Sequence, residues 1–267
     1  MPAPALDLVK AHAYGNDFLI ARSADLPAGG DLANLTRRAC DRHQGIGADG
    51  LLVVDETAAG ARMRLRNADG SPSELSGNGL RAVAAWIADL RDLGAGATLT
   101  IDTDAGRKAV TLLDRAGRRF TFRTAMGAPE DLEEVVLDTP AGAVRAVTLR
   151  VGNPQCVVLG PATTERLQTV APVLAVHPHF PHGTNVALVE VVDPAHLRIL
   201  IWERGVGPTA SSGTGTCAAA AAAAVFGGAP RAVSVTAPGG TQEVEWTTDG
   251  LWLTGWAELV GRVAWWR

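Results

Sequence analysis

Cysteine, basic clusters and long apolar runs are what this chain has little of. Its 267 residues include three cysteines, an odd number without regular spacing. That excludes a disulfide framework and fits a reducing compartment, so the cytoplasm is the expected location. None of the three has metal-ligand spacing with the six histidines, so no metal site is expected. A net charge of −4 without any basic cluster argues against nucleic acid as a partner. No stretch approaches the roughly 18 uninterrupted apolar residues of a membrane span, because the longest alanine run stops at Gly227-Gly228. The first residues lack a basic segment followed by an apolar one, so no signal peptide is expected. Linkers rich in Pro, Gly or Ser are missing too, and the only low-complexity segment is Ala218–Ala224.

What is present is a glycine-rich turn opening into an apolar helix, and it occurs twice. Ser211-Ser212-Gly213-Thr214-Gly215-Thr216-Cys217 runs into seven alanines, and Ser76-Gly77-Asn78-Gly79-Leu80-Arg81 runs into Ala82-Val83-Ala84-Ala85-Trp86. The start of a helix presents unpaired backbone N–H groups, which suit a carboxylate or a developing enolate oxygen. The two serines lie 136 residues apart. Nearly the same offset relates Gly15-Asn16 to Gly152-Asn153, Asn67 to Glu203 and, loosely, His43-Gln44-Gly45 to Pro181-His182-Gly183. Four pairs in one order point to two similar halves of about 130 residues, a duplicated domain and not a solenoid.

In the first half the patterning predicts strands at Leu6–His12, Phe18–Ala21, Leu51–Val54, Arg62–Arg66, Thr98–Thr103, Arg107–Leu113 and Arg119–Arg123, with a helix over Leu32–Cys40. A polar loop, Asn67–Glu74, precedes the first Ser-Gly-x-Gly helix. The second half predicts strands at Val144–Val151, Cys156–Leu159, Val186–Val192, Leu197–Trp202, Ser234–Pro238, Thr241–Thr247 and Leu251–Arg262, a helix near Thr164–Val176, and a loop at Glu203–Ser211. A helix apolar all round belongs in a core, so a curled sheet around each is expected. The repeat alone places the boundary near Phe120–Thr124.

Gly15-Asn16-Asp17-Phe18, Arg42–Gly50, Asn67-Ala68-Asp69-Gly70-Ser71, Gly77-Asn78-Gly79, Gly152-Asn153-Pro154, Thr184-Asn185-Val186, Glu203–Gly207 and Gly213-Thr214-Gly215, in this order, resemble the diaminopimelate epimerase family. The resemblance implies an α/β (α+β) fold of two pseudo-symmetric domains, each a strand barrel wrapped around a central helix, with the ligand between them. With a last strand that returns to the first domain, the domains would be 1–121 plus 259–267 and 122–258. It implies a cofactor-independent isomerase that inverts the α-carbon of LL-diaminopimelate or a similar amino acid in lysine biosynthesis. The partner would be that small molecule and a second copy in a homodimer. Two groups, one at the start of each central helix, would take and return the α-proton, since inversion needs one on each face.

By resemblance Asn16, Asn67, Asn153, Asn185, Glu203 and Arg204 hold the amino and carboxylate groups, and Gly77, Asn78, Gly213 and Thr214 serve the reacting end. Arg204 can fork onto a carboxylate, and Glu203 can pair an ammonium. The sequence departs from the family where the chemistry lies. The two proton-transfer positions, usually cysteine, are Ser76 and Ser212. Gln155 replaces a histidine, and Pro208 a glutamate. A thiol titrates near 8.5 and an aliphatic hydroxyl many units higher, each unit worth about tenfold in rate. Glu74 and Glu203 are the other candidate bases, while Cys40, Cys156 and Cys217 are expected to pack as small hydrophobes. A relative that binds such an amino acid without turnover, or a related isomerase or dehydratase, is the alternative.

Overall fold

The computed structural model describes residues 5–73 and 76–266. The chain forms two compact units, Met1–Thr124 with Trp256–Arg267, and Ala125–Gly255. The division falls after Thr124 and Gly255, three residues from the expected 121 and 258 at each crossing. In chain order the elements are β1 (Leu6–Ala13), β2 (Asn16–Arg22), α1 (Leu32–Cys40), β3 (Gly50–Thr57), β4 (Gly60–Asn67), β5 (Pro72–Ser73), α2 (Gly77–Leu90), β6 (Thr98–Thr103), β7 (Gly106–Ala116) and β8 (Arg119–Gly127). Then come β9 (Glu130–Thr139), β10 (Gly142–Arg150), β11 (Pro154–Leu159), α3 (Thr164–Ala175), β12 (Asn185–Asp193), β13 (His196–Glu203), β14 (Gly207–Thr209), α4 (Gly213–Phe226), β15 (Ala232–Ala237), β16 (Gly240–Thr247) and β17 (Gly250–Trp265).

The pairings repeat. In the first unit β2 runs parallel to β3, β3 antiparallel to β4, β4 parallel to β6, and β6 antiparallel to β7. In the second, β11–β12, β12–β13, β13–β15 and β15–β16 follow the same sequence of directions. The register refines the repeat. Phe18 pairs with Gly50 and Gly50 with Asn67, as Gln155 pairs with Asn185 and the next rung past Val186–Trp202 brings Asn185 to Glu203. Gly50 therefore corresponds to Asn185, an offset of 135. The loose match of His43-Gln44-Gly45 with Pro181-His182-Gly183 is not kept: the loops after α1 and α3, 41–49 and 176–184, are equally long, so the offset of 135 sets His43-Gln44-Gly45 against Pro178-His179-Phe180. The two expected loops each contain a short strand, β5 and β14, and β9 is a strand that the patterning did not announce.

Each central helix is buried from its first turn. In α2 every residue from Gly77 to Ala88 is buried, among them Asn78 and Arg81, and in α4 every residue from Gly213 to Ala223. Around α2 lie Ile20, Leu52, Met63, Ile101, Leu112 and Phe122 from six strands, so the sheet curls about the helix. Val157, Ala187, Ile199, Val235 and Leu253 enclose α4 in the same way. Apolar area removed from water at about 25 cal/mol/Å² is what holds such a helix without a polar face. Amphipathic α1 and α3 pack instead on separate clusters with Leu51 and Leu188 respectively. The last strand, from Glu258 to Trp265, pairs with β1. Among the described residues no helix is long and apolar enough to cross a membrane.

Candidate active site

In each unit one end of the sheet collects the predicted residues. Asn16 opens β2 after a turn whose Tyr14 and Gly15 have φ of 56° and 86°. Gly50 opens β3, and Asn67 closes β4 opposite it. Asn78, in the first turn of α2, donates from Nδ2 to Asn16 Oδ1 at 3.2 Å. Asn67 bonds within its own loop: its Nδ2 donates to Ser71 Oγ at 3.0 Å and its N–H to Ser71 O at 2.9 Å. Glu74 lies outside the described residues.

Ser76 and Ser212 are the N-caps of α2 and α4, with extended backbone (φ −129° and −143°). Ser76 Oγ accepts from Gly79 N–H at 3.1 Å and Ser212 Oγ from Gly215 N–H at 3.3 Å. That contact explains the second glycine of each Ser-Gly-x-Gly. A Cβ on Gly79 would lie 3.3 Å from Ser76 Cβ and 3.1 Å from Leu52 Cδ2, and one on Gly215 3.3 Å from both Ser212 Cβ and Oγ. With the third helical amide taken by the cap, the earlier amides of Gly213 and Thr214 have no protein partner among the described residues. They carry the positive end of the helix dipole.

In the second unit Asn153 lies in the turn before β11, Asn185 opens β12, and Glu203, half-buried, closes β13. Arg204 N–H donates to Asn185 Oδ1 at 2.9 Å, and its Nη1 to His182 O at 2.9 Å, so the guanidinium lies along the Pro181–Gly183 turn. Arg204 is on the wall of a 670 Å³ groove with Trp202, Phe180 and Pro208. Gln155 is buried and donates from Nε2 to Asn153 Oδ1 and, at 3.2 Å, to Thr214 Oγ1. Thr214 Oγ1 is in turn 3.5 Å from Ser212 Oγ. Gln155 therefore links Asn153 and Thr214 to the capping serine without a titratable group.

Residues that the motif reading left unused stand behind Asn16. Asp49 Oδ2 accepts from Asn16 Nδ2 at 2.7 Å and from Asp17 N–H at 3.1 Å, and Arg42 bridges Asp49 and Asp17 at 2.7 Å each. Burial raises the Asp17 carboxyl, but hydrogen bonds and charge from Arg42 and Lys10 outweigh it and hold the group below its ordinary value. Asp49 sits inside the Arg42–Gly50 block, but nothing in its spacing announces the contact with Asn16. Burial pushes the thiols of Cys40 and Cys156 up to about 12, so neither is a thiolate near neutrality.

The family profile for diaminopimelate epimerase matches residues 8–131 and 147–262. The diaminopimelate epimerase of Desulforudis audaxviator (strain MP104C) is 40% identical over 98% of this chain and 100% of its own length. That of Moorella thermoacetica is 38% identical over 96% and 98%. Among solved structures, a probable proline racemase from Agrobacterium radiobacter K84 with bound carbonate superposes with a TM-score of 0.74 at 18% identity, covering 97% of this chain and 92% of its own. A PhzF-family phenazine biosynthesis protein of Bacillus anthracis gives 0.72 at 16%, covering 98% and 99%. At such identities these two bear on the fold alone.

Proposed function

This chain belongs to the diaminopimelate epimerase family of isomerases, and on that premise we propose that it inverts the α-carbon of diaminopimelate, or of a close analogue, without a cofactor. The observation that carries the proposal is the duplicated helix start: Ser76 and Ser212, each capping a buried helix next to asparagines, on two copies of one strand plan. In the inversion one serine, entering as the alkoxide, removes the α-proton and becomes a hydroxyl. The other hydroxyl gives its proton to the opposite face and is left as the alkoxide. Charge that builds on the substrate carboxylate in between is offset by the helix N-terminal amides. Asn16, Asn67, Asn153 and Asn185 with Glu203 and Arg204 hold the amino and carboxylate groups. The reaction would serve lysine biosynthesis in the cytoplasm, with the protein as a homodimer.

The need for an alkoxide makes this slow chemistry, at about tenfold in rate per unit of pKa mismatch. A specific observation favours a second possibility, binding without turnover: the side chains that follow Ser212 Oγ, Thr214 and then Gln155, include no titratable group to take its proton. Proton exchange separates the two. With LL- and meso-diaminopimelate in D₂O, the α-proton signal is followed by NMR for the unaltered protein and for Ser76→Cys/Ser212→Cys. Exchange by the unaltered protein that Ser76→Ala or Ser212→Ala abolishes establishes the hydroxyl epimerase. The cysteine pair is expected to be faster by at least about 10³-fold, from a few units of acidity. Exchange only in the cysteine pair establishes the binding relative, and exchange in neither removes diaminopimelate as the substrate.

A further inference from the structure

Four side chains in the first unit form one chain of hydrogen bonds whose direction is set at both ends. Arg81, fully buried, donates from Nη2 to Asn78 Oδ1 at 2.5 Å. Asn78 Nδ2 donates to Asn16 Oδ1 at 3.2 Å, and Asn16 Nδ2 to Asp49 Oδ2 at 2.7 Å. A guanidinium can only donate and a carboxylate can only accept, so both intervening amides have a single orientation that satisfies the chain. Flipping Asn16 would set its amide donors against Asn78 Nδ2 and its carbonyl oxygen against a carboxylate. Asp49 is itself held, because its Oδ1 accepts from Arg42 at 2.7 Å and its Oδ2 also accepts from Asp17 N–H. We propose that Asp49 is a positioning residue, which locks the Asn16 amide so that its second N–H and its remaining lone pair meet the ligand in fixed places. The assignment rests on the reading of Asn16 as a ligand residue.

Asp49 is well suited to a test, since its side chain is 43% exposed and its removal leaves no cavity in the core. Binding of meso-diaminopimelate is measured by calorimetry for the unaltered protein, Asp49→Ala, Asn16→Ala and the double variant. The side-chain amide of Asn16 is followed in ¹⁵N–¹H spectra, identified by its loss in Asn16→Ala. Asp49→Ala is expected to weaken binding about tenfold when Asn16 is present and less than about twofold when it is absent, the coupling that a residue acting through Asn16 must show. The Asn16 amide signals shift and exchange faster with solvent, and Asp49→Glu recovers part of both effects. An equal loss in both backgrounds, or Asn16 signals that stay in place, overturns the proposal. If the unaltered protein binds no diaminopimelate, the functional reading falls, and the Asn16 signals alone decide the role of Asp49.

Discussion

Ser76 Oγ and Ser212 Oγ each receive an amide hydrogen from the third residue of the helix they open, which leaves one hydroxyl proton and one lone pair on each oxygen. Serine is among the best N-caps because a short side chain with a good acceptor reaches that amide, and sulfur accepts more weakly. Serine at the two positions therefore contributes to helix stability. Ser76→Ala and Ser212→Ala are each expected to lower unfolding stability by about 1 kcal/mol, read from urea midpoints at constant m. The two losses should add, since the caps belong to different helices. A loss below about 0.3 kcal/mol at either position would mean that the cap bond contributes nothing net. At this scale the capping serines and the glycines behind them were legible, because Ser-Gly-x-Gly before an apolar run is a local signal. Asp49 and the Gln155–Thr214 contact were not. They depend on side chains 33 and 59 residues apart, which only strand pairing and helix placement bring together.

Helix α4 has no side for water, and its alanines do more than favour a helix. From Ala218 to Ala223 each is buried against strands on different sides, so the barrel has closed to the diameter of an alanine helix. Helix α2 fills the equivalent place with Leu80, Val83, Trp86 and Ile87. Ala221→Leu should therefore overpack its unit, at a cost of about 1–3 kcal/mol measured by chemical unfolding. A neutral or stabilising result would reveal unfilled space around α4. Most elements could be read from the chain. Helix α1 has the predicted bounds, and strands with one apolar face were found to within a few residues. Strand β9 escaped because Glu130, Asp131, Glu133, Glu134 and Asp138 give it an exposed acidic pattern, while backbone bonding to β10 decides its conformation. The short β5 and β14 escaped for a similar reason: each pairs over two or three residues, too few for a period to show.

For the molecule as a whole, the balance of 24 basic against 28 acidic side chains puts the pI near 5.9, and acid converts it to a polycation. Stability in that range depends on carboxylates whose folded state holds protons less tightly than the unfolded chain. Asp17 is one: burial works against its charge, but Arg42 and Lys10 hold it below the ordinary value of 3.8. Asp41, held by the amides of Gln44 and His43, and Asp69, held by Ser71, shift the same way on the surface. Glu190 does so in the other unit, beside Arg198. A group lowered in the folded state binds fewer protons there, so its contribution is complete above the ordinary carboxylate value and disappears as pH falls through the lowered one. The thermal midpoint should therefore change little between about pH 7 and 5 and fall steeply below about 4. Asp17→Asn should melt lower at pH 7, where the ion pairs to Arg42 and Lys10 are lost, and fall less steeply in acid. The two curves should converge once pH has fallen through the lowered Asp17 value, where Asp17 itself becomes neutral. A gap that stays constant down to that pH would show that Asp17 supports the fold through its shape and neutral hydrogen bonds, and that its charge contributes nothing.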